Sequence, residues 1–142
     1  MAKKQIKVGI NQRGGPAPGY LWSVWVLERG YKEIKAAFTE PQYDHLVMQV
    51  KDLAKEKSPS KSEILSIDKI ESFYELRDKG GVLGGINARI FYGISHEDKA
   101  IIILGGIKKQ NNGGTPLGDK VTMRRRWRKF ENGDYGKPEG AK

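Results

Sequence analysis

The chain contains no cysteine. Disulfides, thiolate metal ligands and cysteine nucleophiles are therefore excluded outright. Histidine is almost as scarce. Only His45 and His96 occur, too far apart in the chain for a zinc site built from histidines. Long hydrophobic runs are missing as well. The longest is Ala100 to Leu104, against the roughly 20 residues that a membrane-spanning helix needs. The opening Met-Ala-Lys-Lys-Gln has no apolar core of the kind a secretory signal carries. A soluble, cytoplasmic protein with no membrane partner is expected. Gly80-Gly81 and Gly84-Gly85 lack the spacing and the lysine of a phosphate-binding loop. No serine sits in a nucleophile elbow, and the carboxylates are scattered rather than paired for glycoside chemistry. No cofactor is expected.

What the chain does have is positive charge. Lysine and arginine number 26 against 17 acidic residues, a net charge of +9 over 142 residues. The excess is uneven, with net +3 up to Ile107 and net +6 in the last 35 residues. A concentrated positive field attracts phosphate backbones and speeds encounter with them. Nucleic acid is thus the first expectation for a partner. An acidic protein comes second and plain solubility third. The length suits one domain spanning residues 1–142.

Residues 1–30 read as an N-terminal elaboration: a short strand at Ile6–Ile10, a Gly/Pro loop at Asn11–Gly19, and a strand at Leu21–Leu27, the two strands forming a long-looped hairpin. Alternation puts Trp22 and Val24 on one face and Trp25 on the other. Tyr31–Phe38 fits a short helix. A longer helix is expected over 39–57, capped by Thr39 with Gln42 at the capping-box position and Pro41 in the first turn. Ser58-Pro59-Ser60 ends it, and Lys61–Ile67 reads as a connector. The sheet core is expected over 73–109. It comprises a strand at Phe73–Arg77, a glycine-rich turn at Asp78–Gly85, a strand at Ile86–Ile94, and a central strand at Ala100–Ile107. The last two strands form an antiparallel hairpin. Gly105-Gly106 suggests a bulge or a close backbone approach. After a polar loop at Gln110–Gly114, a basic helix is expected over 116–130, followed by a loose tail from Gly133 to Lys142. Arg124, Arg125 and Arg126 point about 100° apart on that helix and cannot share one ligand.

The residues left to carry chemistry are cations. Arg77 closes one strand, Arg89 lies within the next, and Lys108 and Lys109 close the third. Gathered on one face, they would hold a phosphate by fork and point-charge contacts and stabilise charge on a scissile phosphate. For Arg77 the competing reading is a salt bridge to Glu75. His96 is a weak candidate for proton transfer, and Tyr92 reads as core.

Tyr74-Glu75-Leu76-Arg77, Asn87-Ala88-Arg89-Ile90-Phe91-Tyr92, Ala100–Leu104 with Lys108-Lys109, Thr115-Pro116 and the basic last helix together resemble the RelE/HigB-type toxins of bacterial toxin-antitoxin systems. The resemblance covers roughly Phe73 to Phe130, less than half the chain. It implies an α/β (α+β) domain, a small antiparallel sheet with helices packed on one face. Residues 1–30 would then be an added hairpin. It also implies a messenger-RNA endoribonuclease acting on the ribosome. Cleavage would proceed by 2′-hydroxyl attack without a metal, and a cognate antitoxin would neutralise the activity. By position, Arg77, Arg89, Lys108 and Lys109 match the phosphate-contacting cations, and Tyr135 matches a tyrosine that stacks on a base. Tyr135 could equally pack on Trp127. Arg124, Arg125, Arg126, Arg128 and Lys129 would grip RNA or an acidic antitoxin segment. The alternative is a non-catalytic module that binds nucleic acid or an antitoxin.

Overall fold

Alternation along the second strand builds the protein outward in two directions. Trp22 and Val24 bury into one apolar cluster, Trp25 and Leu27 into another, as the period of two requires. The computed structural model describes residues 6–8, 19–62, 65–79, 87–109 and 114–135. The elements are β1 (Ile6–Val8), β2 (Ser23–Leu27), α1 (Glu28–Ala37), α2 (Glu40–Leu53), β3 (Ser66–Lys69), β4 (Tyr74–Lys79), β5 (Asn87–Ser95), β6 (Ala100–Lys109) and α3 (Leu117–Glu131). The strands form one sheet in the order β1-β2-β6-β5-β4-β3, with the three-residue β1 at one edge.

The fold is a small mixed α+β arrangement. β1 and β2 pair antiparallel, as a hairpin should. Most of the loop expected at 11–19, of the turn at 78–85, of the loop at 110–114 and of the tail from 133 onward lies outside the described residues, while Asp78 and Lys79 continue β4 instead of turning. One expectation is corrected: the sheet is not antiparallel throughout. β2 runs parallel to β6, because the long connection through α1, α2 and three further strands supplies the crossover that parallel neighbours need. The expectation of helices on one face holds for α1 and α2, which bury Ile34, Phe38, Leu46 and Leu53 with Ile90, Tyr92 and Ile101. α3 packs on the other face, where Met123, Trp127 and Phe130 meet Phe73, Phe91 and Ile102.

Local chemistry sets the helix ends. Thr39 Oγ1 accepts from the Gln42 amide and Gln42 Oε1 accepts from the Thr39 amide at 2.9 Å, a complete capping box. α2 stops at Leu53, short of Lys57. The Ala54 carbonyl accepts from Leu21 and Trp22 at 2.9 and 3.2 Å, tying the chain to the entry of β2. α1 starts at Glu28, directly after β2 and earlier than Tyr31. It runs so close to β6 that a β-carbon on Gly30 would lie 2.4 Å from the Leu104 carbonyl oxygen. β3 begins at the end of the expected connector (Lys61–Ile67) and continues to Lys69, where no strand is expected from the sequence. It is an edge strand with two half-buried residues followed by two exposed ones, so no alternating apolar signal marks it. Among the described residues no helix is long and apolar enough to cross a membrane.

Candidate functional site

Arg77 on β4 and Arg89 on β5 are direct cross-strand partners, so the register does bring these two cations together. They do not face an open surface. Glu75 lies two residues before Arg77 on the same side of β4, and its side chain is wholly buried. It accepts from Arg77 Nε and from the Thr115 hydroxyl. Arg89 Nη1 lies 3.4 Å from Thr115 Oγ1 and 3.9 Å from Glu75 Oε1. Burial pulls the Arg89 guanidinium below its ordinary pKa, and Glu75 opposes that shift. Arg77 also reaches Asp68 on β3 at 3.1 Å. The arrangement is two guanidiniums and two carboxylates, closed by a hydroxyl from the segment entering α3. Arg89 is 1% exposed, whereas the Arg77 side chain keeps 19% of its surface. Of the pair, Arg77 is therefore the one a ligand can touch.

Lys108 corrects the expectation of a common patch. Its backbone pairs with Ala88, part of the α1/α2 cluster, and its ammonium sits 6.0 Å from the Phe38 ring centroid. That is the face opposite Arg77 and Arg89. A shift of register at Phe91–Tyr92 leaves Leu104 unmatched opposite β5, in the bulge foreshadowed by Gly105-Gly106. Lys109 pairs through its backbone with Asn87. Its side chain lies outside the described residues. His96 is exposed in the β5–β6 turn, edge-on to Trp22 with ring centroids 5.7 Å apart. Seven residues of extended chain put it about 20 Å from Arg89. Beside it a cavity of about 310 Å³ is lined by His96, Asp98, Trp127, Phe130 and Glu131, among others.

Tyr135 is half-buried against the α3 cluster that includes Trp127. Burial raises its phenol pKa, with Arg126 and Arg29 close enough to oppose the shift. It forms no hydrogen bond to the Arg77–Arg89 group among the described residues.

Five of the six cations of α3, all but Lys120, fall into three groups. Arg124 reaches one flank of the sheet and chelates Glu71, its Nε 2.6 Å from Oε1. This holds the Glu71 carboxyl below the usual carboxylate range. Arg126, 200° further round, reaches the opposite flank. It is buried, binds the Leu104 carbonyl at 2.8 Å and chelates Glu33 of α1. Arg125, Arg128 and Lys129 face solvent within an arc of about 100°. They form no ion pair among the described residues.

Sequence reasoning singled out the arginines and named Thr115 only with Pro116, ahead of the last helix; it passed over Asp68, Glu33 and Glu71, which together with Thr115 decide which arginines are available. Their one shared signal is an acidic or hydroxyl residue on a strand or helix edge, which is too common to select. Comparison with known proteins gives no match to a family model, a curated protein or a solved structure.

Proposed function

We propose that this chain is a RelE/HigB-type toxin domain, an RNA-directed protein that acts on messenger RNA with the ribosome and is opposed by an antitoxin protein. One observation carries the reading. Glu75, Arg77, Arg89 and Thr115, on which the resemblance rests, come from three separate segments and meet in one hydrogen-bonded group. In this reading Arg77 contacts the phosphate of the message and stabilises charge as the 2′-hydroxyl attacks. Arg89 is a positioning residue that acts through Glu75. Arg125, Arg128 and Lys129 contact the RNA backbone from α3.

A binding module without catalysis is the second reading. It is favoured by the Glu75 carboxylate that already faces both arginines, and by the distance of His96 from them. Product chemistry separates the two. Incubation of a message with ribosomes and the protein yields 2′,3′-cyclic phosphate ends if the chain cleaves by internal attack, and Arg77→Ala abolishes them. Retention of intact RNA by the wild type, with no cyclic ends, selects the binding module. Unchanged cleavage by Arg77→Ala removes Arg77 from the chemistry.

A further inference from the structure

We propose that Asp68 is an internal stand-in for an RNA phosphate on Arg77, and that RNA reaches Arg77 by displacing it. The proposal rests on the RNA reading above and specifies how that site is regulated. In the β3–β4 register Asp68 lies directly opposite Glu75, and two like charges so placed repel. The Arg77 guanidinium relieves this by contacting both, Asp68 at 3.1 Å. The two carboxylates are unequal. Glu75 has no exposed side-chain surface and is held by Thr115 and Arg89 as well. Asp68 is 50% exposed, stands on the edge strand, and has Arg77 as its only hydrogen-bonding or ion-pair partner among the described residues.

A half-exposed ion pair of this kind holds weakly, so Asp68 is the anion that exchanges while Glu75 stays. The charge balance points the same way. Glu75 and Asp68 already offset Arg77 and Arg89, and Asp119 also acts on Arg89, so a phosphate added to the intact group would leave it net negative. Swapping the Asp68 carboxylate for a phosphate conserves the balance, and a guanidinium engages both anions through the same fork. Asp68 thereby lowers the affinity of the free protein for RNA and favours RNA presented at high local concentration.

The test is fluorescence anisotropy with a short, labelled single-stranded RNA and the full chain. Asp68→Ala is compared with wild type, with Asp44→Ala as a charge-matched control on the exposed side of α2, and with both Arg77→Ala and the Asp68→Ala/Arg77→Ala double variant. Asp68→Ala binds about fivefold more tightly than wild type, the effect of one close unit charge in water. Asp44→Ala changes binding by less than about twofold at moderate salt, where distant charges are screened. The gain from Asp68→Ala disappears in the Arg77→Ala background. Asp68→Asn, which keeps the volume of the side chain, repeats the gain should the alanine variant fold poorly. A gain equal to that of Asp44→Ala, or one that survives loss of Arg77, overturns the exchange while leaving the RNA reading intact. If neither wild type nor Asp68→Ala binds RNA, the RNA reading fails and the exchange fails with it.

Discussion

Trp127 lies directly on Gly93, so close that a β-carbon on Gly93 would stand 2.3 Å from Cζ3 of the indole. The contact is where α3 crosses β5, and it sets the height of the helix above the sheet. Met123 and Phe130 on either side are buried by the same approach. Gly93→Ala forces the indole off its seat, and overpacking of this kind costs about 1–3 kcal/mol. The urea midpoint falls while the slope of the transition stays constant. Trp127→Leu in the Gly93→Ala background recovers part of the loss, because neighbouring sites are not additive.

Arg124 and Arg126 look alike in the sequence and should behave differently. Arg126 is buried and donates to the Leu104 carbonyl at 2.8 Å. Arg126→Met removes that buried hydrogen bond and costs about 1–3 kcal/mol in urea unfolding. Arg124→Met gives up a half-buried surface pair with Glu71 and leaves the neutral-pH midpoint almost unchanged. Its signature is in acid. The Glu71 pKa is lowered by Arg124, so the small contribution of the pair is present above the unfolded carboxylate pKa and lost as pH falls through the folded one. The acid limb of the stability profile becomes shallower in Arg124→Met.

The legible parts of this chain were the local ones. The Thr39–Gln42 capping box spans four residues, and the opposite facing of Trp22 and Trp25 follows from one strand's own alternation. The parallel contact of β2 with β6 joins Ser23 to Ala100, and no local pattern encodes such a pairing. The same limit applied to the candidate site. The residue types of Arg77 and Arg89 announced cations, and the β4–β5 hairpin placed them side by side. Their availability, however, is decided by Thr115 reaching Glu75 across 40 residues of sequence. Lys108 depends on the register shift at Phe91–Tyr92, since a slip of one residue sends every following side chain to the other face.

Tyr92 predicts the alkaline behaviour. Its buried phenol donates to the Pro59 carbonyl, and its ring stacks on Tyr74 at 5.7 Å. Burial drives its pKa well above the ordinary value, which is about 10. A raised folded-state pKa means that the unfolded chain loses its proton first. The contribution of Tyr92 is therefore complete below about pH 10 and is lost as pH climbs toward the folded value. Stability measured against pH should fall on the alkaline side. In Tyr92→Phe that fall is shallower, while neutral-pH stability drops by about 1 kcal/mol with the lost hydrogen bond.

The outward face of α3 offers the most direct test of RNA contact. Arg125, Arg128 and Lys129 are exposed and carry no packing role, so changing all three to glutamine leaves the urea midpoint near that of the wild type. If each contacts a phosphate, each releases counterions on binding. The slope of log K against log salt for single-stranded RNA then shrinks by about 0.7 per residue, or about 2 for the three. Arg126→Gln is the control. It sits between these residues in sequence but is turned inward to Glu33 and Leu104. It lowers stability and leaves the salt slope intact when binding is measured well below its unfolding midpoint. An equal loss of slope from Arg126→Gln, or an unchanged slope in the triple variant, would show that RNA is held elsewhere on the molecule.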